Sequence, residues 1–149
     1  MKIRIESNSL NVRHVSRIGY YTKLLAESLA KKKENKVLAF SFNFFKRQSI
    51  TPLSSSIIRE TNTLFPLRFY AKAQSLNVAP PFDTFLRSVD LTIFPNYARW
   101  PSIKSKVVAT VIHDLTYIHY PELMEEGNLF HLKRVVPRAI NESDFIITI

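Results

Sequence analysis

The sequence predicts an α/β domain built on an open parallel sheet with helices on both faces. Two observations carry this, and the length agrees. Within residues 2–42 an alternating strand pattern, a helical pattern and a second strand pattern follow one another. That is a βαβ unit, whose crossover joins parallel strands. Further along, runs such as Lys106-Val-Val-Ala-Thr-Val-Ile112 are apolar almost throughout, as strands buried on both faces are. At 149 residues the chain suits one domain and can bury about 68–70% of its unfolded surface.

The elements follow in order. Residues 2–8 form a first strand, with Ile3 and Ile5 on one side and Arg4 and Glu6 on the other. A loop over residues 8–16 leads to a helix over 18–32, in which Ile18, Tyr21, Leu24, Leu25 and Leu29 share a face. Lys31, Lys32 and Lys33 close it, where cations complement the carbonyl end of the helix dipole. Residues 36–42 are a second strand. The stretch 43–63 is polar, aromatic and irregular and receives no element. A helix spans 64–76 with Leu67, Tyr70, Ala71 and Gln74 inward, ended by Pro80-Pro81, and 82–87 make a short helix or turn. Residues 90–94 are a strand closed by Pro95-Asn96, and 106–112 are the next. Leu129, Leu132, Val136, Ala139 and Ile140 mark one face of a helix kinked at Pro137. Residues 144–149 return as a strand. Parallel strands feed functional loops at their carboxyl ends, and the chain stops where such a loop would begin. Residues 1–149 are therefore expected to be the front half of a longer protein.

Composition narrows the function classes. There is no cysteine, which excludes thiol catalysis, disulfides and thiolate metal centres. The amino terminus is strand-like rather than a signal peptide, and no apolar run approaches the ~20 residues that span a bilayer. A cytoplasmic location is expected, or a peripheral one at the inner face of a membrane. The excess of 21 Lys and Arg over 12 Asp and Glu gives +9, a field that favours anionic partners without choosing among them.

The strand over 106–112 ends in His113-Asp114, an imidazole and a carboxylate where ligands bind in such sheets. One reading makes them a proton shuttle or hydroxyl partners. The other has the histidine satisfied by a backbone carbonyl and the aspartate capping the turn over 115–117. Alternation along a strand argues against a shared proton between them. His113, Asp114 and His119 lack a metal-binding spacing, and no metal is assigned. Arg17-Ile18-Gly19-Tyr20-Tyr21 opens the first helix. Gly19 either lets backbone approach an anion at a helix end or eases a tight entry, and no dinucleotide fingerprint is present. Phe94-Pro95-Asn96-Tyr97, with Arg99 and Trp100, suits sugar or ring binding, or is an ordinary loop with a stacked aromatic. A basic-aromatic series (Phe42, Phe44, Phe45, Lys46, Arg47, Arg59, Arg68, Phe69, Tyr70, Lys72) is a membrane or single-strand platform, or a solvated face over a core.

In their order and spacing these pieces resemble the N-terminal domain of the GT-B glycosyltransferases of family 4. The likeness covers almost the whole chain. It rests on the loop Arg17-Ile18-Gly19-Tyr20-Tyr21, with Arg17 where the family has its first glycine, on Val89-Asp-Leu-Thr-Ile-Phe-Pro-Asn96, on Val111-Ile-His-Asp-Leu-Thr-Tyr-Ile-His-Tyr-Pro121-Glu122, and on Ser143-Asp-Phe-Ile-Ile-Thr148. The resemblance implies the acceptor-side, Rossmann-like half of a two-domain GT-B enzyme, with the donor-binding domain outside these residues and no metal or cofactor required. It implies His113 and Asp114 as catalytic residues, the first near the transferred sugar. Arg17, Gly19, Tyr20, Asn96 and Tyr117 become substrate-binding. The implied partners are a nucleotide-sugar donor, held mostly by the other domain, and a saccharide or lipid-linked acceptor in polysaccharide biosynthesis. The alternative from another class is a non-catalytic basic α/β module that binds nucleic acid or an anionic membrane surface; nucleic acid is the less expected partner.

Overall fold

The central apolar runs become strands that are buried on both sides, because helices cover both faces of one sheet. The structure, a computed structural model, describes residues 1–12, 14–46, 51–76 and 78–149. These form six strands: β1 (Lys2–Glu6), β2 (Lys36–Phe42), β3 (Ile58–Asn62), β4 (Val89–Phe94), β5 (Ser105–Ile112) and β6 (Phe145–Thr148). The order across the sheet is β3-β2-β1-β4-β5-β6, and every pairing is parallel. Helix α1 (Arg17–Ala30) lies between β1 and β2, α2 (Leu67–Ser75) between β3 and β4, and a short α3 (Thr116–His119) with a long α4 (Glu126–Glu142) between β5 and β6. This is a Rossmann-like α/β fold, as the sequence predicts.

Alternate strand residues feed separate cores. Ile3, Ile5, Val37, Ala39, Ile93, Ala109 and Val111 meet Ala26 and the partly buried Leu25 and Leu29 of α1. On the opposite face Phe40, Phe42, Phe94 and Val108 meet Tyr70 of α2, Phe82 and Trp100. Ile112 continues that face under Leu132 and Val136 of α4. Full burial of such side chains stabilises by about 1.5–3 kcal/mol each, so the helix stripes and the strand runs select the same arrangement.

Three expectations need correction. The stretch 43–63 contains β3, which pairs with β2 from Leu38↔Ile58 to Phe42↔Asn62. As an edge strand it is half exposed and polar (Ile58-Arg-Glu-Thr-Asn62), so it lacks the buried signature of the others. Ala71 and Ile140 were expected inward, but Ala71 is exposed and Ile140 is 47% exposed. In α2, Tyr70 and Gln74 are buried, with Leu67 partly buried against the same core, and Gln74 donates to the Tyr70 hydroxyl at 2.8 Å. Pro137 lies within α4, which is continuous from Glu126 to Glu142. The basic-aromatic series splits: Phe42 and Tyr70 are core, while Phe69, at 71% exposed, and Lys72 are surface. Arg47 lies outside the described residues, as does the side chain of Lys46.

Arg4 and Glu6, on the polar face of β1, are buried like Ile3 and Ile5 on the apolar one. Arg4 is 0% exposed. Its Nε donates to Glu60 Oε2 of β3 at 2.7 Å, its Nη2 donates to the Arg87 carbonyl at 2.6 Å, and Nη1 stands 3.9 Å from Asp83. Asp83 accepts the backbone N–H groups of Ile103 and Lys104, both at 2.9 Å, and the Ser102 hydroxyl. Because Arg4→Met would leave Glu60 and Asp83 without their cation, it should lower unfolding free energy by about 3–5 kcal/mol in urea denaturation; a loss under ~1 kcal/mol would show the network to be dispensable.

Candidate functional site

In a parallel sheet whose order reverses, loops from the two sides of the reversal diverge and leave a crevice beyond the strands' carboxyl ends. Here the reversal lies between β1 and β4. The loop after β1 is pinned down on β2. Ser7 Oγ donates to the Phe40 carbonyl at 2.8 Å, Asn8 Oδ1 accepts the Phe42 N–H at 2.7 Å, and Asn11 Nδ2 donates to the Phe42 carbonyl at 2.9 Å. Glu6 ends β1, 7% exposed, and accepts the Asn8 N–H at 2.7 Å. Burial pushes its carboxyl from 4.5 up to about 7, against the opposing hydrogen bond from Asn8.

On the other side of the reversal, β4 runs through Pro95 and Asn96 into Tyr97, whose backbone is left-handed at φ 52°. A tyrosine there is strained by about 1–3 kcal/mol. Its N–H donates to the Val111 carbonyl at 3.0 Å, and its hydroxyl donates to Asp114 Oδ2 at 2.9 Å. Burial first, then the neighbouring carboxylate, pushes the Tyr97 hydroxyl up to about 12. Asp114 also accepts the Thr116 N–H at 2.9 Å. That hydrogen bond, ahead of the one from Tyr97, holds its carboxyl below the usual range. Asp114 is therefore an exposed, ionised acceptor at neutral pH.

His113 takes the opposite side. Its Nε2 lies 2.7 Å from the Pro95 carbonyl, and since a carbonyl only accepts, Nε2 carries a proton. Nδ1 is left as the nitrogen with no hydrogen-bond partner among the described residues. The ring meets Tyr21 of α1 edge-on at 5.1 Å and Tyr97 at 5.4 Å. His113 and Asp114 thus share no hydrogen bond, as strand alternation predicts, and each also makes the contact that its non-catalytic reading requires.

Asp114 and Asn96 open onto a cavity of about 470 Å³ bounded by Ile18, Tyr97, Thr116 and, from α4 and the residues before it, Glu125, Asn128 and His131. Of the seven residues singled out in the sequence, these two line it. Arg17 is exposed at the start of α1, and Tyr20 is 61% exposed beside it. Gly19 is buried, and a Cβ there would lie 2.7 Å from the Ser9 carbonyl oxygen and 2.7 Å from Val15 Cγ1. The absent side chain serves the packing of α1 on the β1 loop. Tyr117 is 5% exposed among Ile112, Leu132 and Val136 and contributes to the core. The polar stripe Glu125, Asn128, His131 was missed. Its spacing of three residues beside the apolar stripe of α4 is the signal that marks it. Among the described residues no group of His, Asp and Glu side chains is placed to hold a metal ion, and no helix is long and apolar enough to cross a membrane.

Two outcomes test this geometry. Gly19→Ala should destabilise the chain by about 1–3 kcal/mol in thermal or urea denaturation, because the new methyl meets backbone. For Glu6, the folded chain keeps a proton that the unfolded chain has released, so stability falls as pH rises from 4.5 to about 7. That loss should total about 3 kcal/mol, and Glu6→Gln should flatten it in urea titrations at about pH 5 and about pH 8; an unchanged slope would contradict the assignment. In comparisons with known proteins, no family model, no curated protein and no solved structure matches this chain.

Proposed function

We propose that this domain is the acceptor-side half of a retaining glycosyltransferase of the GT-B, family 4 kind, moving a sugar from a nucleotide-sugar donor to a saccharide or lipid-linked acceptor. One observation supports it above the others: an ionised, exposed carboxylate (Asp114) and a free amide (Asn96) share a 470 Å³ cavity just beyond the carboxyl ends of β4 and β5, next to the reversal in strand order. Cavities of about 300–1,000 Å³ take small ligands, and a sugar is recognised by acceptors and donors paired with its hydroxyls. Asp114 accepts from hydroxyls, Asn96 and Asn128 both donate and accept, and Tyr97 holds Asp114 in place.

His113 faces the other side of the same edge, toward α1. With Nε2–H committed to Pro95, its Nδ1 is available to a hydroxyl of the transferred sugar, where the resemblance places this residue. Asp114 would orient the acceptor, His113 the donor sugar, and a separate donor-binding domain would supply most nucleotide contacts. The exposed Arg17 and Tyr20 stand at the start of α1 and are free to meet either substrate. The alternative of a nucleic-acid or membrane platform has less support, since two aromatic members of the basic series are consumed by the core.

The test is binding of a panel of glycan and lipid-linked acceptors to this chain, followed by amide and side-chain NMR. Acceptor should shift Asn96, Tyr97 and Asp114, and Asp114→Asn should weaken it about tenfold, the size of one charge-assisted hydrogen bond. His113→Ala should leave acceptor affinity within about twofold and abolish transfer once a donor-binding domain is joined. No shifts with any acceptor, together with steeply salt-dependent RNA or vesicle binding that ignores His113→Ala, would favour the platform instead.

A further inference from the structure

We infer that a second cavity, between α2 and α4, is a binding pocket for a phosphoryl group. It measures about 230 Å³, and its walls include Arg99, Arg134, Arg138, His131, Trp100 and Gln74. Three arginines line it, and no carboxylate is among the described residues that do. Glu142 lies behind them: it accepts from Arg138 Nε at 2.8 Å and approaches Arg99 Nε at 3.9 Å, while its carbonyl accepts from Arg99 Nη1. Glu142 and the more distant Asp144 are the carboxylates that act on Arg99, so one nearby carboxylate serves two arginines. Arg134 has neither a hydrogen bond nor an ion pair among the described residues.

The unmet demand is sharpest at Arg99. Its side chain is 11% exposed, and its Nε is buried without a hydrogen-bond acceptor. The guanidinium is ion-paired with Glu142, but one of its buried N–H groups has no acceptor, and such groups in native proteins point to a missing water or ion. The chemistry of the walls selects an anion with several oxygens. Arginine forks match phosphate in pairs of parallel hydrogen bonds. The volume is below the range of about 300–1,000 Å³ for whole small ligands, which suits the phosphate or diphosphate end of a larger molecule. His131 borders this cavity and also the one at Asn96 and Asp114, so the two are neighbours, and a ligand long enough to span both would place its phosphate here and its remainder at the strand ends. The pocket itself does not depend on the sugar-transfer reading; if that reading holds as well, the acceptor is a phosphorylated one.

The probe is sodium diphosphate, titrated into the chain at fixed ionic strength by calorimetry. Emission from Trp100, the chain's single tryptophan, reports where binding occurs. Diphosphate should bind saturably and change that emission. Arg134→Gln should weaken it at least tenfold, whereas Lys133→Gln, which removes the same charge from the neighbouring exposed position, should stay within twofold. Arg134 is itself exposed, so its variant is not expected to unfold the chain. A second arm uses phosphatidylcholine vesicles with and without phosphatidic acid. Vesicle binding that diphosphate displaces and Arg134→Gln weakens assigns the pocket to a lipid phosphate; no vesicle binding, with diphosphate binding intact, assigns it to a soluble one. Diphosphate heats no larger than those of matched sodium chloride, or equal losses in the two variants, would overturn the pocket.

Discussion

A guanidinium in the middle of a sheet has few ways to be tolerated, and the way Arg4 is tolerated organises much of this fold. Its partners come from separate segments: Glu60 on the edge strand β3, the Arg87 carbonyl just before β4, and Asp83 in the turn between α2 and β4. Asp83 in turn fastens the Ser102, Ile103 and Lys104 segment that leads into β5. A buried ion pair adds little net stability over an apolar side chain of equal volume, but losing one partner is expensive. What Arg4 supplies is a fixed relation among these segments. The loop from Pro95 to Lys104 is held at its far end by Asp83 and at its near end by the Tyr97 N–H on Val111, which is why a loop can carry a defined cavity.

The two neighbours at the end of β5 divide the crevice between them. His113 turns toward α1, against Tyr21, and Asp114 turns toward α4, across the cavity from Asn128 and His131. Tyr97 joins the two halves, its ring against His113 and its hydroxyl on Asp114. A dyad would need both groups on one proton. This arrangement instead gives two separately positioned polar groups on either side of one aromatic ring.

The parallel sheet was legible in the sequence because burial on both faces leaves a plain mark: β2 and β5 are nearly continuous apolar runs. The strand β3 was not, because an edge strand answers to one neighbour and to solvent, and its residues report solvent. Asn96 and Asp114 were found because polar residues directly after a buried strand are conspicuous. Gly19 and Tyr117 were conspicuous for reasons that belong to packing: a glycine admits the Ser9 carbonyl, and a tyrosine closes the space between β5 and α4. From sequence, a glycine that admits backbone and one that admits a ligand look the same. The stripe of Glu125, Asn128 and His131 was hidden by the apolar stripe beside it, since periodicity identifies which side of a helix is buried and is silent on which polar side faces a cavity.

The left-handed backbone at Tyr97 costs energy that the contacts of its side chain and its N–H must offset. A glycine or asparagine would adopt φ 52° with less strain, yet neither could place a ring on His113 and a hydroxyl on Asp114 at once. The strain is held by the Tyr97 N–H on β5, by burial of the ring to 8% exposure and by the hydroxyl's hydrogen bond. These contacts fix the loop after β4 on β5 and, with it, the groups at the cavity. The strain is thus offset by contacts that seat Tyr97 in the core between β5 and α4 and, in the same step, set its ring on His113 and its hydroxyl on Asp114.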